Sequence, residues 1–352
     1  MTYKHVFPNS HSLTPEARRS NNLVSIITRT KNRPALLVRA VYSVLAQTHE
    51  NWELIIVNDG GCRAEIETLL ARFSSPLNGR LHLVHHATSQ GMEAASNAGL
   101  KLASGDFVAI HDDDDAWDPR FLEETIKYLN FAENRDYAAV VTNSTVIFER
   151  IENGNAIELW REPWRNWREQ ADYKDLLCGN LFPPISLLVR KPVVDHLNGF
   201  NEKLPVLGDW DFILRLIQIG DIGTINRPLA YYYHREPKSD PGVYGNTVLA
   251  ERSLHEEYNV RYRNSLMRAY ASGNPGALGG VMTLIADLDA RDRRLNGRID
   301  RLEWLIQQHQ QQLPYEIHRA AQGFDTILRV PRAIWRRMYP ARRLIAQVRG
   351  RL

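Results

Sequence analysis

The segment Phe107-Val108-Ala109-Ile110 has no polar side chain on either face, and it runs directly into His111 and four consecutive aspartates, Asp112 to Asp115. A strand of that kind belongs in a sheet covered on both sides, as parallel sheets are. Its upstream neighbours repeat the theme. Leu23 to Thr28 and Trp52 to Val57 are short β-branched runs, and between them Leu36, Leu37, Ala40, Val41, Val44 and Leu45 recur at helical spacing. Arg80 to Val84 reads as a third strand and Gly91 to Ala103 as the helix that precedes the fourth. Strands alternating with helices predict an α/β fold with a mostly parallel mixed sheet, Rossmann-like in its layers.

Open sheets of this class bind ligands beyond the carboxyl ends of their strands. The loops after Ile27, Val57 and Ile110 should therefore converge. They carry Thr28, Arg29, Thr30, Asn32 and Arg33 as hydrogen-bonding and basic groups for a phosphate-bearing donor, then Asn58-Asp59-Gly60-Gly61, then the aspartate run. Four adjacent carboxylates repel one another unless a cation sits among them. Mg²⁺ or Mn²⁺ is the natural choice, because such hard ions share one or two carboxylates with a substrate's phosphates. The plainer readings are a solvated acidic loop, a cap for the helix that starts near Pro119, and an ordinary turn at Asp59-Gly60.

A second region, about 137–235, opens with the strand-like Tyr137 to Thr142 and closes with Ile225 to Tyr233. Between them a helix is expected from Asp209 onward, with Phe212, Leu216 and Ile219 on one face. Asp209 then lies in the first turn, where a carboxylate either favours the helix dipole or works as a base. Asp211 should point roughly 200° away, so only one of the two faces a cleft.

Two cysteines, Cys62 and Cys178, are too few for a disulfide framework, and no window reaches the length of apolar residues that a membrane span needs. Residues 1–22 are polar and lack the apolar core of a secretory signal. The expectation is a cytoplasmic protein. Charge is unevenly shared: residues 245–352 hold 18 Arg and no Lys against 10 acidic residues, a net of +8, which leaves −5 for the first 244.

Taken in order, Val24-Ser25-Ile26-Ile27 with Asn32-Arg33-Pro34, Ser43 to Thr48, Glu53 to Gly60, Gly91 through Gly99, Ala103 to Phe107, Asp112 to Trp117, Gly199-Phe200 and Gly208 to Asp211 resemble glycosyltransferase family 2. The resemblance covers about residues 22–240. It implies a GT-A type fold over 23–244, with a nucleotide-binding half at 23–136 and an acceptor half at 137–244. It further implies a metal-dependent, inverting transfer of sugar from a nucleotide-sugar donor to a saccharide acceptor. Asp59 would bind the donor's base or ribose. Asp112 and Asp114 would be the two ends of a DxD motif on ribose and metal, with Asp113 beside the donor and His234 as a further metal ligand. Asp209 would be the catalytic base, and Trp210 and Asp211 would lie toward the acceptor. Three positions depart from the family's habit: Ser96 in place of Arg, Asn58 in place of Asp and Gly208 in place of Glu.

Residues 245–352 lie outside the resemblance. Val281, Ile285, Leu288, Asp292, Leu295, Ile299, Leu302, Ile306, His309 and Leu313 repeat at alternating spacings of four and three. This predicts an α-helical extension whose 281–313 stretch is either a coiled coil joining copies of the chain or an amphipathic helix packed on the catalytic domain. The segment 328–352 interleaves Arg with Trp335, Met338, Tyr339 and Leu344. Such a composition suits an anionic membrane surface at the inner face of the cell membrane, or a solvated tail; nucleic acid is not expected. With a lipid-linked acceptor, the expected role is cell-envelope polysaccharide or lipopolysaccharide assembly. A scaffold that recruits partners and a nucleotidyltransferase are the alternatives, the latter disfavoured by the absence of glycine between Thr28 and Pro34.

Overall fold

The computed structural model describes residues 21–77, 79–152, 155–235, 252–273 and 277–327. Most of the polar N-terminal stretch and the whole basic segment 328–352 lie outside the described residues. The chain divides into two compact units after Arg263.

The first unit is built on a nine-stranded sheet. Its strands are β1 Val24–Thr30, β2 Trp52–Asp59, β3 Leu81–His86, β4 Phe107–Ile110, β5 Ala116–Trp117, β6 Ala139–Glu152, β7 Asn155–Pro163, β8 Leu187–Arg190 and β9 Ile222–Arg235. They lie in the order β3-β2-β1-β4-β8-β6-β9-β5, with β7 paired to β6. The half β3-β2-β1-β4 is wholly parallel, while β8 runs antiparallel to β4 and β6, and β6 and β9 are again parallel. This mixed, mostly parallel sheet flanked by helices is the α/β architecture expected from the sequence. The helices are α1 Pro34–Leu45, α2 Arg63–Ala71, α3 Ser74–Leu77, α4 Met92–Leu100, α5 Phe121–Asn130, α6 Tyr173–Cys178, α7 Lys191–His196, α8 Gly208–Ile217, α9 Arg252–Gly273 and α10 Ala277–Ile327.

Both faces of the parallel half are dry because successive strand residues go to opposite sides. Ile26, Leu54, Ile56 and Ala109 pack with Leu37 and Val41 of α1 and Phe121 of α5. Ile27, Ile55, Val57 and Val108 pack with Ala95 of α4 and with Phe212 and Ile213 of α8. Each such Leu or Ile, fully buried, contributes about 1.5–3 kcal/mol. Pro at N1 of α1 and the apolar i, i+3, i+4 stripe explain why the chain turns into a helix immediately after the Arg29–Arg33 loop.

β6 and β9 each run for 14 residues, much longer than their sequence signals, because they pair with each other along most of their length. In the second unit, α10 covers the heptad segment as one helix and leaves Leu288, Leu295, Ile299, Leu302 and Ile306 exposed. Among the described residues no helix is long and apolar enough to cross a membrane.

Candidate active site

The parallel register places Thr30 beside Asn58 and Ile27 beside Ile110, so the three loops expected to meet do meet at one end of the sheet. Arg29 reaches across this end from β1. Its Nε and Nη2 donate to the two oxygens of Asp112 at 2.8 and 2.7 Å, and its Nη1 donates to Ser96 Oγ at 3.2 Å. Asp112 is the member of the aspartate run that faces outward, with a quarter of its side chain accessible.

The other three aspartates turn into the protein. Asp113 is fully buried, which pushes its carboxyl up, while Arg33 at 2.7 Å pulls it down. Asp114 is buried too, yet Arg33 and Arg235 hold its carboxyl below the usual range. Asp115 accepts a hydrogen bond from the Tyr233 amide at 2.9 Å, and burial among acidic neighbours raises it well above an ordinary aspartate. Arg235 also donates to Glu149 at 2.9 Å, and Arg39 grips the same carboxylate. Arginines from β1, α1 and β9 thus neutralise the run from within. His111, buried between Ser43 and Trp117, is pushed down to about 4 by desolvation and stays neutral.

These placements correct several expectations. Asp113 is sealed from any donor, and Thr28 and Thr30 are buried within β1, so none of the three offers a group to a ligand. Asp112, Asp114 and His234 do not assemble as a metal triad. Asp114 is taken up by arginines, and the His234 ring packs edge-on to Phe148 and Tyr232 at centroid distances of 5.4 and 4.6 Å. Among the described residues no three His, Cys, Asp or Glu side chains form a metal-holding group. The donor set left for a hard cation is Asp112 together with phosphate oxygens brought by a substrate, which is a common way for Mg²⁺ to be held.

Asp59 is committed to its own loop. It accepts from His86 Nδ1 at 2.7 Å, Ser89 Oγ at 2.6 Å, Gln90 N at 2.8 Å and Gly91 N at 3.1 Å. Those four bonds outweigh its burial and lower its carboxyl. They fix the loop that leads into α4. Asn58 likewise clamps the Gly60-Gly61 turn through its amide, at 2.9 and 3.0 Å. Gly60 is needed there because φ is +79° and a side chain would strike the backbone of Thr88 and Ser89. Asn32, itself at φ 55°, accepts from Cys62 N at 3.3 Å and ties the first loop to the second.

Asp209 opens α8 from the other side of the site. Asn180 Nδ2 donates to its Oδ2 at 2.7 Å and the Trp210 amide to its Oδ1 at 2.8 Å. Burial nevertheless raises its carboxyl above an ordinary aspartate, with Arg29 pulling the other way. Arg29 and Asp209 line one cavity, whose remaining wall includes Val108, Ile110, Leu187, Phe200 and Phe212. The placement of Asp209 toward the site and Asp211 away from it follows the helical geometry read from the sequence. Trp210 and Asp211, expected toward the acceptor, are instead interior. Trp210 Nε1 donates to Leu176 O at 2.7 Å, and Asp211 accepts from Tyr262 Oη at 2.8 Å and pairs with Arg215 at 2.7 Å.

Asn58, Ser89, Asn180 and Arg235 were not singled out by sequence reasoning. Arg235 had a signal, since four adjacent carboxylates demand cations and it follows directly on His234. The others are single polar residues whose partners are set by tertiary contact alone.

With this geometry in place, comparison with known proteins adds the following. A family model described as glycosyl transferase family 2 matches residues 25–197. An uncharacterized glycosyltransferase of Haemophilus influenzae is 33% identical over 181 residues, which are 51% of this chain and 67% of that protein. The putative colanic acid biosynthesis glycosyl transferase WcaA of Escherichia coli is 38% identical over 104 residues, 30% of this chain and 37% of that one. Among solved structures, TarS of S. aureus in complex with UDP-GlcNAc aligns with 65% of this chain and 63% of its own, at 17% identity and a TM-score of 0.49.

Proposed function

We infer that this chain, which belongs to glycosyltransferase family 2, moves a sugar from a nucleotide-sugar donor onto a saccharide of the cell envelope, with inversion at the anomeric carbon. The observation that carries this reading is the partly exposed Asp209, held by Asn180 and sharing a cavity with the Arg29–Asp112 pair. The acceptor hydroxyl hydrogen-bonds to Asp209. As its oxygen bonds to the anomeric carbon, its proton passes to the carboxylate and the bond to the diphosphate breaks on the opposite face. One carboxylate suffices for a single displacement, whereas retention would call for a second as nucleophile. Charge developing on the leaving diphosphate meets Arg29, a fixed cation in a partly dry site. A Mg²⁺ or Mn²⁺ ion held by Asp112 and the donor's phosphates would supply Lewis-acid stabilisation of the same charge.

The assignment to envelope polysaccharide rests on relatives such as the colanic acid protein. A lipid-linked acceptor and a position at the inner membrane face are supported by the Arg-rich composition of 328–352. Pairing of two copies is supported by the exposed apolar seam of α10. The test is a donor screen: purified protein is incubated with UDP-, GDP-, dTDP- and CMP-sugars, with Mn²⁺ or with chelator, and thermal stabilisation and donor hydrolysis are recorded. One nucleotide class should stabilise the protein and be hydrolysed slowly. Failure of every sugar nucleotide to bind in either condition would overturn the reading.

A further inference from the structure

Gly208 and Glu93 share one volume. A Cβ built on Gly208 would overlap the Glu93 carboxyl and its Cγ, so the absence of a side chain on α8 is what lets Glu93 enter from α4. Glu93 is 5% exposed and stands in the first turn of α4. The residue before α8, Leu207, is in the left-handed region at φ 68° and offers no side-chain cap. Glu93 therefore brings a carboxyl from another element to the turn that carries Asp209. One turn along α4 from Glu93, the small Ser96 leaves room for the Arg29 guanidinium.

Resting on the transferase reading above, we propose that Glu93 is a positioning residue. Its carboxylate acts as a counter-ion for Arg29 and thereby keeps Arg29 from closing on Asp209 and tying up the base. Arg29 feels the charges of Asp112, Glu93 and Asp209 together, and Asp112 already takes two of its donors. Remove Glu93, and Asp209 becomes the nearest remaining anion on that side. A base locked in an ion pair with a guanidinium takes up a proton poorly. Burial raises the Glu93 carboxyl, Arg29 lowers it, and Asp209 and Asp112 raise it further, as expected for a group set among these three.

The experiment is a set of variants assayed for transfer with the donor found in the screen. Glu93→Gln keeps the shape and removes the charge. It is expected to lower kcat about tenfold while donor KM stays within about twofold. Glu93→Ala with Gly208→Ala relieves the overlap without restoring a carboxylate, so thermal stability should hold while kcat stays low. Glu93→Ala with Gly208→Glu returns a carboxylate to the same volume from α8 and should recover most of kcat. Wild-type kcat in Glu93→Gln, or in the Glu93→Ala/Gly208→Ala double variant, would show that Glu93 merely fills space and would overturn the proposal. Absence of transfer by the wild-type protein with every donor would instead sink the transferase reading itself.

Discussion

Arg29 holds Asp112 by both carboxylate oxygens, at 2.8 and 2.7 Å. The pair is an anion-binding device in waiting, because a diphosphate competes with Asp112 for the same planar fork. Lysine keeps the charge but cannot make two parallel bonds. Arg29→Lys is therefore expected to weaken donor binding roughly tenfold to a hundredfold, the range of one charge-assisted hydrogen bond. Calorimetric titration with the donor measures it, and unchanged affinity would remove Arg29 from the donor site.

Asn180 donates to Asp209 at 2.7 Å and favours the ionised form of a carboxyl that burial otherwise raises. A base works when ionised, so turnover falls as pH drops through its pKa. Asn180→Ala takes away a donor to the ionised form and raises the pKa further, which moves the acid limb of the kcat profile to higher pH. An unmoved limb would mean that the group titrating there is not Asp209.

Arg235 is fully buried between Asp114 and Glu149, both of which keep a second arginine. Arg235→Leu leaves two buried carboxylates under-compensated and should cost about 3 kcal/mol, the lower end for breaking a buried ion pair. For a unit of this size that corresponds to a fall of roughly 6–12 °C in Tm. A calorimetric scan that shows no fall would mean that the interior arginines are dispensable.

Asp112 is the outward-facing member of the aspartate run. If a divalent ion joins donor and protein, Mn²⁺ should enhance thermal stabilisation by the donor in the wild type and not in Asp112→Asn. Equal enhancement in both would place the ion elsewhere.

The parallel half of the fold was legible because its strands are buried on both faces and its helices carry clean apolar stripes. Phe107–Ile110 appears in the structure with the boundaries read from the chain, and α1 differs little from its stripe. The long pairing of β6 with β9 was not, since residues 143–152 alternate only loosely and their pairing is non-local. In the site, the run of aspartates was visible, but its orientation was not. Sequence shows that four carboxylates are adjacent; it does not show that Arg33 and Arg235 arrive from distant elements to bury three of them. Asp209 was separable from Asp211 by helical angle alone, whereas Trp210 and Asp211 were drawn inward by Tyr262, a residue beyond the segment that carried the resemblance.

The most direct measurement is steady-state transfer by Asp209→Asn beside the wild type, with donor affinity determined on both by calorimetry. Loss of a general base should cost about 10²–10⁴ in kcat, with donor affinity retained because Asp209 meets the acceptor rather than the nucleotide. A variant that binds donor and still transfers sugar at the wild-type rate would contradict the assignment of Asp209 and the inverting displacement built on it.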